Sequence, residues 1–138
     1  MAAEKKVVVE GSGDAVVKNG LYTLNTGCFS TEIKEGDTFV KFFAPWCGHC
    51  QKLGPVWESL AGTFRDDQVV KIAKLDCTEN KSVCQKYEVA GYPTLVYFRD
   101  GEVLEVYQGG RGSKELVEFV SKKSEQVPSK KPRKKEEL

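Results

Sequence analysis

The sequence predicts an α/β fold, a mixed central sheet flanked by helices, with elements in the order β-α-β-α-β-α-β-β-α. Three observations predict it. A nearly continuous apolar run, Phe39-Val40-Lys41-Phe42-Phe43-Ala44, leads within a few residues into a helical pattern. Helical segments separate the early strand candidates, as parallel neighbours require. Asp100-Gly101 then marks a two-residue hairpin, which makes the last strand pair antiparallel.

Residues 1–19 are polar and dotted with Gly11-Ser12-Gly13-Asp14, so they read as a linker with room for one weak strand. Leu21-Tyr22-Thr23-Leu24 is a short strand, and a weak pattern places a short helix at 27–34. The run from Phe39 to Ala44 suits a central strand covered on both faces. Leu53, Val56, Trp57, Leu60, Ala61 and Phe64 then fall on one face of a helix, with Pro55 inside it as a kink. Val69 to Asp76 is a further strand, and 80–87 has room only for a short helix. Thr94–Arg99 and Glu102–Tyr107 flank the hairpin turn. Ser113 is placed to cap a final helix carrying Leu116, Val117, Phe119 and Val120. Periodicity stops past Lys123. The domain is therefore expected at 20–123, and Pro128, Pro132 and a charge run make 124–138 a disordered basic tail.

Composition narrows the classes. A chain of 138 residues fits one domain with a core that needs no staple. The net charge of +1 gives no general case for nucleic acid or an anionic membrane, and no apolar run is long enough to cross a bilayer. Charge is uneven, since residues 124–138 carry five basic and three acidic groups. The five cysteines, at 28, 47, 50, 77 and 84, exclude a fully paired scaffold within one chain. Val7-Val8-Val9 is too short for the apolar core of a signal peptide. Lys135-Glu136-Glu137-Leu138 nevertheless resembles the Lys-Asp-Glu-Leu retention signal of the endoplasmic reticulum, with Glu for Asp. A retention signal without an entry signal suggests the C-terminal piece of a longer secretory-pathway protein.

The chemistry gathers at Ala44-Pro45-Trp46-Cys47-Gly48-His49-Cys50, which leaves the buried strand and opens the long helix. Unpaired N–H groups and the positive end of the helix dipole favour an anion at Cys47, and the thiolate is the nucleophilic form. His49 can add a donor or a positive charge. Cys50 lies close to one turn on, within disulfide reach and more buried. In this reading Cys47 attacks a substrate disulfide and Cys50 resolves the mixed disulfide. Gly48 keeps the turn unobstructed, and Trp46 offers a platform for a peptide. A zinc site is the competing reading of two close cysteines. It wants four ligands, whereas the second pair has six intervening residues and the only histidine lies inside the first.

The motif Ala-Pro-Trp-Cys-Gly-His-Cys strongly resembles the protein disulfide isomerases of the thioredoxin superfamily, over about residues 21–123. It closely resembles the last catalytic domain of the members with three thioredoxin domains and a retention signal. It implies a thioredoxin fold, with Pro55 as the fold's helix-kinking proline. It also implies that Gly91-Tyr92-Pro93-Thr94 is the loop facing the active site, with Pro93 cis and its backbone pairing with substrate; on spacing alone Pro93 is equally a trans turn residue. Arg111 resembles the family arginine that approaches the buried cysteine and lowers its pKa, or is a solvated loop residue. Lys41 departs from the pattern, because most relatives place a buried Glu or Asp there to handle the buried thiol's proton. A lysine could stabilise the Cys50 thiolate, snorkel out of the sheet, or mark a modified proton route. Similar pairs in some relatives imply a structural disulfide between Cys77 and Cys84, against two buried free thiols. Cys28 is expected to be a free, partly buried thiol without a role.

The resemblance implies disulfide formation and rearrangement in the lumen of the endoplasmic reticulum. Thioredoxin lies near about −270 mV and protein disulfide isomerase near about −180 mV, a gap of roughly 4 kcal/mol for two electrons. A histidine between the cysteines pushes toward the oxidising end. No metal or organic cofactor is expected, and a monomer is. The expected partners are cysteine-containing clients, glutathione or a sulfhydryl oxidase as electron partner, and a retention-signal receptor. The alternatives are a thioredoxin-like reductase and a non-catalytic peptide-binding or chaperone module built on Trp46, Tyr92 and Pro93. Asn80-Lys81-Ser82 is a glycosylation acceptor triplet in a confined loop. Lys130-Lys131-Pro132-Arg133-Lys134-Lys135 reads as a solvated spacer before the retention-like end rather than a nuclear signal.

Overall fold

The computed structural model describes residues 13–126, so most of the basic tail, with its last four residues, and most of the expected linker lie outside the described residues. Among the described residues ten elements follow one another: β1 Val16–Lys18, β2 Leu21–Leu24, α1 Phe29–Ile33, β3 Asp37–Phe43, α2 Gly48–Thr63, β4 Val70–Asp76, α3 Lys81–Lys86, β5 Thr94–Arg99, β6 Glu102–Val106 and α4 Ser113–Glu125. They form one six-stranded mixed sheet in the order β1-β2-β4-β3-β5-β6. β4 runs parallel to both β2 and β3, while β5 is antiparallel to β3. The apolar run thus becomes the central strand β3, and nearly all of it is buried.

Both edges are two-residue hairpins. Asp100 and Gly101 have φ of 51° and 86°, and Asn19 and Gly20 have φ of 52° and 86°. Paired positive φ values close a hairpin with the twist of its strands, and Asn-Gly and Asp-Gly adopt them readily. At Gly20 a Cβ would also collide with the Ala61 carbonyl of α2 and with Arg65 just past its end, so the close approach there requires glycine. The one strand for which the 1–19 segment left room is β1, whose residues 16–18 pair antiparallel with 21–23.

The sheet separates two cores. Phe29, Ile33, Val40, Phe42, Leu75, Val96 and Phe98 pack on the side of α1 and α3. Phe39, Leu53, Trp57, Leu60, Ile72, Tyr97, Leu116 and Val120 pack on the side of α2 and α4. Helix α2 continues through Pro55, and Trp57 fixes it to the sheet by donating Nε1–H to the Ala73 carbonyl at 2.8 Å. Ser113 does not cap α4. Gly112 occupies the cap position without a side-chain bond, and Ser113 is the first helical residue. The helix also runs two residues beyond Lys123, into the expected tail. Arg99 holds that last turn by donating to the Lys123 carbonyl at 2.7 Å while pairing with buried Asp37, and Lys123 pairs with Glu105.

Candidate functional site

The site forms at the carboxyl ends of β3 and β4, where open α/β sheets present their crevices. Strand β3 ends at Phe43, and the chain turns through Ala44-Pro45-Trp46 with Cys47 N–H donating to the Ala44 carbonyl at 3.1 Å. Cys47 is the N-cap of α2, with extended backbone (φ −79°, ψ 124°) and a half-buried side chain. Cys50, on the first turn, is buried at 3% exposure. Both are free thiols, as is buried Cys28.

The two thiols are pushed in opposite directions. The Cys50 backbone N–H bonds the Cys47 sulfur and holds its pKa below the ordinary thiol value, outweighing partial desolvation. The Cys50 thiol, the His49 backbone N–H and the Arg111 charge add to the lowering. Burial pushes Cys50 up, with the Cys47 charge adding to it; a backbone bond at Ala44 and the Lys41 charge oppose that. One cysteine is therefore poised as a nucleophile and the other held as a thiol.

Other candidates fall around this pair. The Cys47 thiol donates to the Tyr92 carbonyl at 3.5 Å, so the loop 91–94 lies against the sulfur, and the Tyr92–Pro93 peptide bond is cis. Trp46 is 70% exposed and packs edge-on to Tyr92 at 5.7 Å between ring centres. His49 is exposed and acts on Cys47 through its backbone. A Cβ at Gly48 would meet open space, so the fold itself does not demand glycine there. Arg111 is exposed on its loop, as the solvated alternative has it, and its charge is among the influences that lower the Cys47 pKa.

Lys41 does not snorkel. It is 5% exposed, on the β3 face covered by α2, with Nζ 5.1 Å from the Phe43 ring centre. Burial first, and then the neighbouring Lys74 charge, lower its pKa to about 8. Lys74 was not singled out from the sequence. The register Lys41↔Lys74 identifies it.

Cys77 and Cys84 are joined by a disulfide with an S–S distance of 2.07 Å, and both are buried. Asn80 is buried as well. Its amide donates to the Asp76 carbonyl at 3.0 Å and accepts from the Thr26 backbone at 2.8 Å, so the acceptor amide of the glycosylation triplet is engaged within the fold while Lys81 and Ser82 are exposed. Among the described residues no three His, Cys, Asp or Glu side chains gather as a metal site, and no helix is long and apolar enough to cross a membrane.

Residues 20–122 match the family model described as Thioredoxin, which sets the class as a thioredoxin-fold domain. Protein disulfide-isomerase 5-1 of Arabidopsis thaliana is 40% identical over 117 residues, covering 83% of this chain and 80% of its own. The thioredoxin domain-containing protein 5 homolog of Drosophila melanogaster is 46% identical over 99 residues, covering 72% of this chain. This chain spans only 24% of that relative's length. Among solved structures, the first thioredoxin domain of mouse protein disulfide-isomerase A4 superposes with a TM-score of 0.74 at 32% identity, covering 88% of this chain and 91% of that one. Human ERp44 in its zinc-bound form gives 0.71 at 26% identity, covering 75% and 31%. The chain belongs to the thioredoxin family, among the protein disulfide isomerases.

Proposed function

We propose that this domain is a thiol–disulfide oxidoreductase of the isomerase type, acting through Cys47-Gly48-His49-Cys50 on cysteine-containing clients of the secretory pathway. The observation that carries the reading is the division of labour at α2: a half-exposed Cys47 whose thiolate is stabilised by helix N–H groups, and a buried Cys50 whose thiol is favoured. The Cys47 thiolate attacks a client disulfide and displaces one client sulfur as thiolate. Cys50 then loses its proton and attacks Cys47, releasing the second client sulfur and closing the Cys47–Cys50 bond. Two electrons pass to the client. Run backward, the same steps oxidise a client dithiol, and alternation of the two rearranges bonds.

The loop at Tyr92 and Pro93 supports a peptide-sized substrate. Its carbonyl already faces the Cys47 sulfur, and Tyr92 also lines a cleft of about 440 Å³ shared with Val89 and Gln85. A client strand laid along this loop would rest one side chain on Trp46 and another in the cleft. Glutathione or a sulfhydryl oxidase would restore the disulfide, and the likeness to protein disulfide isomerases supports the endoplasmic reticulum as the compartment. No metal or organic cofactor enters these steps.

The test is the equilibrium of Cys47/Cys50 against glutathione buffers, read by Trp46 fluorescence and thiol labelling. A two-electron transition near the poise of the reticulum, about −180 to −210 mV, is expected. A much more reducing midpoint would mark a reductase. No transition would leave a peptide-binding module.

A further inference from the structure

Resolution of the mixed disulfide needs a destination for the Cys50 proton, because Cys50 is buried and only its thiolate attacks. The carboxylate whose charge acts on Lys41 is Glu58, exposed on α2 itself, while Asp76, two residues past Lys74 on β4, accepts from Thr78. The sheet face beneath α2 offers two amines. Lys41 and Lys74 are register partners on adjacent parallel strands, so their side chains leave the sheet side by side. Both reach the same ring, Lys41 Nζ at 5.1 Å and Lys74 Nζ at 5.9 Å from the centre of Phe43. On the other side of Lys41 the register partner is Leu95, which brings no charge. The groups acting on Lys41 are thus Lys74 from β4, and Cys50 and Glu58 from α2.

We propose that Lys41 and Lys74 form a two-lysine proton site beneath Cys50, in which Lys41 exchanges the Cys50 proton and Lys74 is the positioning charge that keeps Lys41 ready to accept it. The inference rests on the exchange chemistry proposed above. In the resolving step the neutral Lys41 amine takes the proton from the Cys50 thiol and becomes an ammonium. The Cys50 thiolate then forms the bond to Cys47, and the Cys47–client bond breaks with its electron pair on the client sulfur. In the oxidising direction Cys50 leaves as thiolate and the Lys41 ammonium returns the proton. Two ammonium groups side by side in a desolvated place are mutually unfavourable, so one amine is the more easily kept neutral. The direction of the Lys41 pKa, lowered to about 8, agrees with this arrangement. A carboxylate in the same place would need a raised pKa to do the same work; a lysine needs a lowered one.

The experiment separates the two thiols in time. Reduced full-length protein is mixed with an aromatic disulfide that releases a coloured thiol. A first phase reports attack by Cys47, and a second reports resolution by Cys50. In the wild type the second phase should rise with pH around 8, the value to which Lys41 is lowered. Lys74→Gln removes the neighbouring charge, so that limb moves to higher pH and the second phase slows at pH 7 by about threefold to tenfold. Lys74→Arg keeps the charge and should keep the wild-type profile. Lys41→Met should lose the limb and slow the second phase about a hundredfold, the scale of a positioned proton acceptor. The first phase should not respond to any of these changes.

Wild-type profiles in both Lys74→Gln and Lys41→Met overturn the proposal. So does a faster second phase in Lys74→Gln, which would make Lys41 a fixed charge that stabilises the thiolate. Absence of the first phase in the wild type would instead remove the exchange reading itself.

Discussion

The two cysteine pairs sit at the same end of the same sheet and behave oppositely. Cys47 follows β3 and Cys77 follows β4, and the Cys77 N–H donates to the carbonyl of Phe43, where β3 ends. In each pair the second cysteine is on a helix and buried. The difference lies in the first cysteine and in what acts on the second. Cys47 is half exposed at the N-terminus of a 16-residue helix, whereas Cys77 is 3% exposed ahead of a helix of only 6 residues. Cys84 sits in an apolar cluster with Phe29, Phe42 and Val83; Cys50 feels the charge of Lys41, whose register partner is Lys74. A pair becomes reactive when one sulfur meets both solvent and a stabilised negative charge, and structural when both sulfurs are sealed in hydrocarbon.

The largest test of that contrast exchanges the pairs' fates. Cys47→Ser should lower turnover by about a thousandfold or more, as loss of a covalent nucleophile does. Cys84→Ala should leave the Cys47 rate within about threefold, because its sulfur contributes nothing to activation. Assays of reduced-client oxidation with both variants decide this; equal losses would erase the distinction. The structural pair should show itself in stability instead. Opening a loop whose cysteines are seven apart in sequence should cost about 2.5 kcal/mol in urea unfolding of the Cys77→Ala, Cys84→Ala double variant.

Lys41 sharpens the contrast from below. Its pKa is about 8 in the fold against 10.5 unfolded, so the folded state binds fewer protons between those values and stability rises with pH across the interval. Below pH 8 the fold carries the full cost of a buried ammonium. Lys41→Met should therefore be more stable than wild type at pH 7 by about 2 kcal/mol. The advantage should close between pH 8 and 10.5, measured by urea unfolding. A variant that is more stable yet slower to resolve its mixed disulfide would identify the lysine as retained for chemistry. Loss of stability at pH 7 would show that the lysine stem's packing outweighs the charge.

What the sequence made legible follows from how local the determinants are. The central strand, α2 and the hairpin at Asp100-Gly101 were readable because apolar periodicity and turn chemistry act over a few residues. The β1–β2 hairpin carried the same signal, Asn19-Gly20, but its strand Val16–Lys18 is exposed throughout and so lacked an apolar pattern. Ser113 looked like a cap because the residue type suits one, yet Gly112 takes the position, where the Glu115 carboxylate crowds close against it. At the site, the thiol pair is local to one helix and was visible. The Lys41–Lys74 register is a relation between strands 33 residues apart in sequence, and no local pattern encodes it. The direction of Arg111 was likewise a tertiary matter, since a loop decides which sulfur its charge reaches.

Arg111 gives the smallest expected effect and the finest reading of the pair. Its charge is the last of the influences that lower the Cys47 pKa, after the backbone and thiol hydrogen bonds, and it acts from an exposed loop. Arg111→Gln should move the midpoint of Cys47 alkylation by iodoacetamide upward and slow the reaction at pH 7 by about twofold or less, since exposed charges are heavily screened. High salt should reproduce the shift in the wild type and leave the variant unchanged, which a hydrogen bond from the helix would not do. A large salt-independent effect would mean that Arg111 orders the loop rather than contributing charge. A shift in the Cys50 phase without one at Cys47 would return the arginine to the buried sulfur, and the contrast between the two thiols of the reactive pair would then rest on Arg111 and Lys41 acting together from opposite sides.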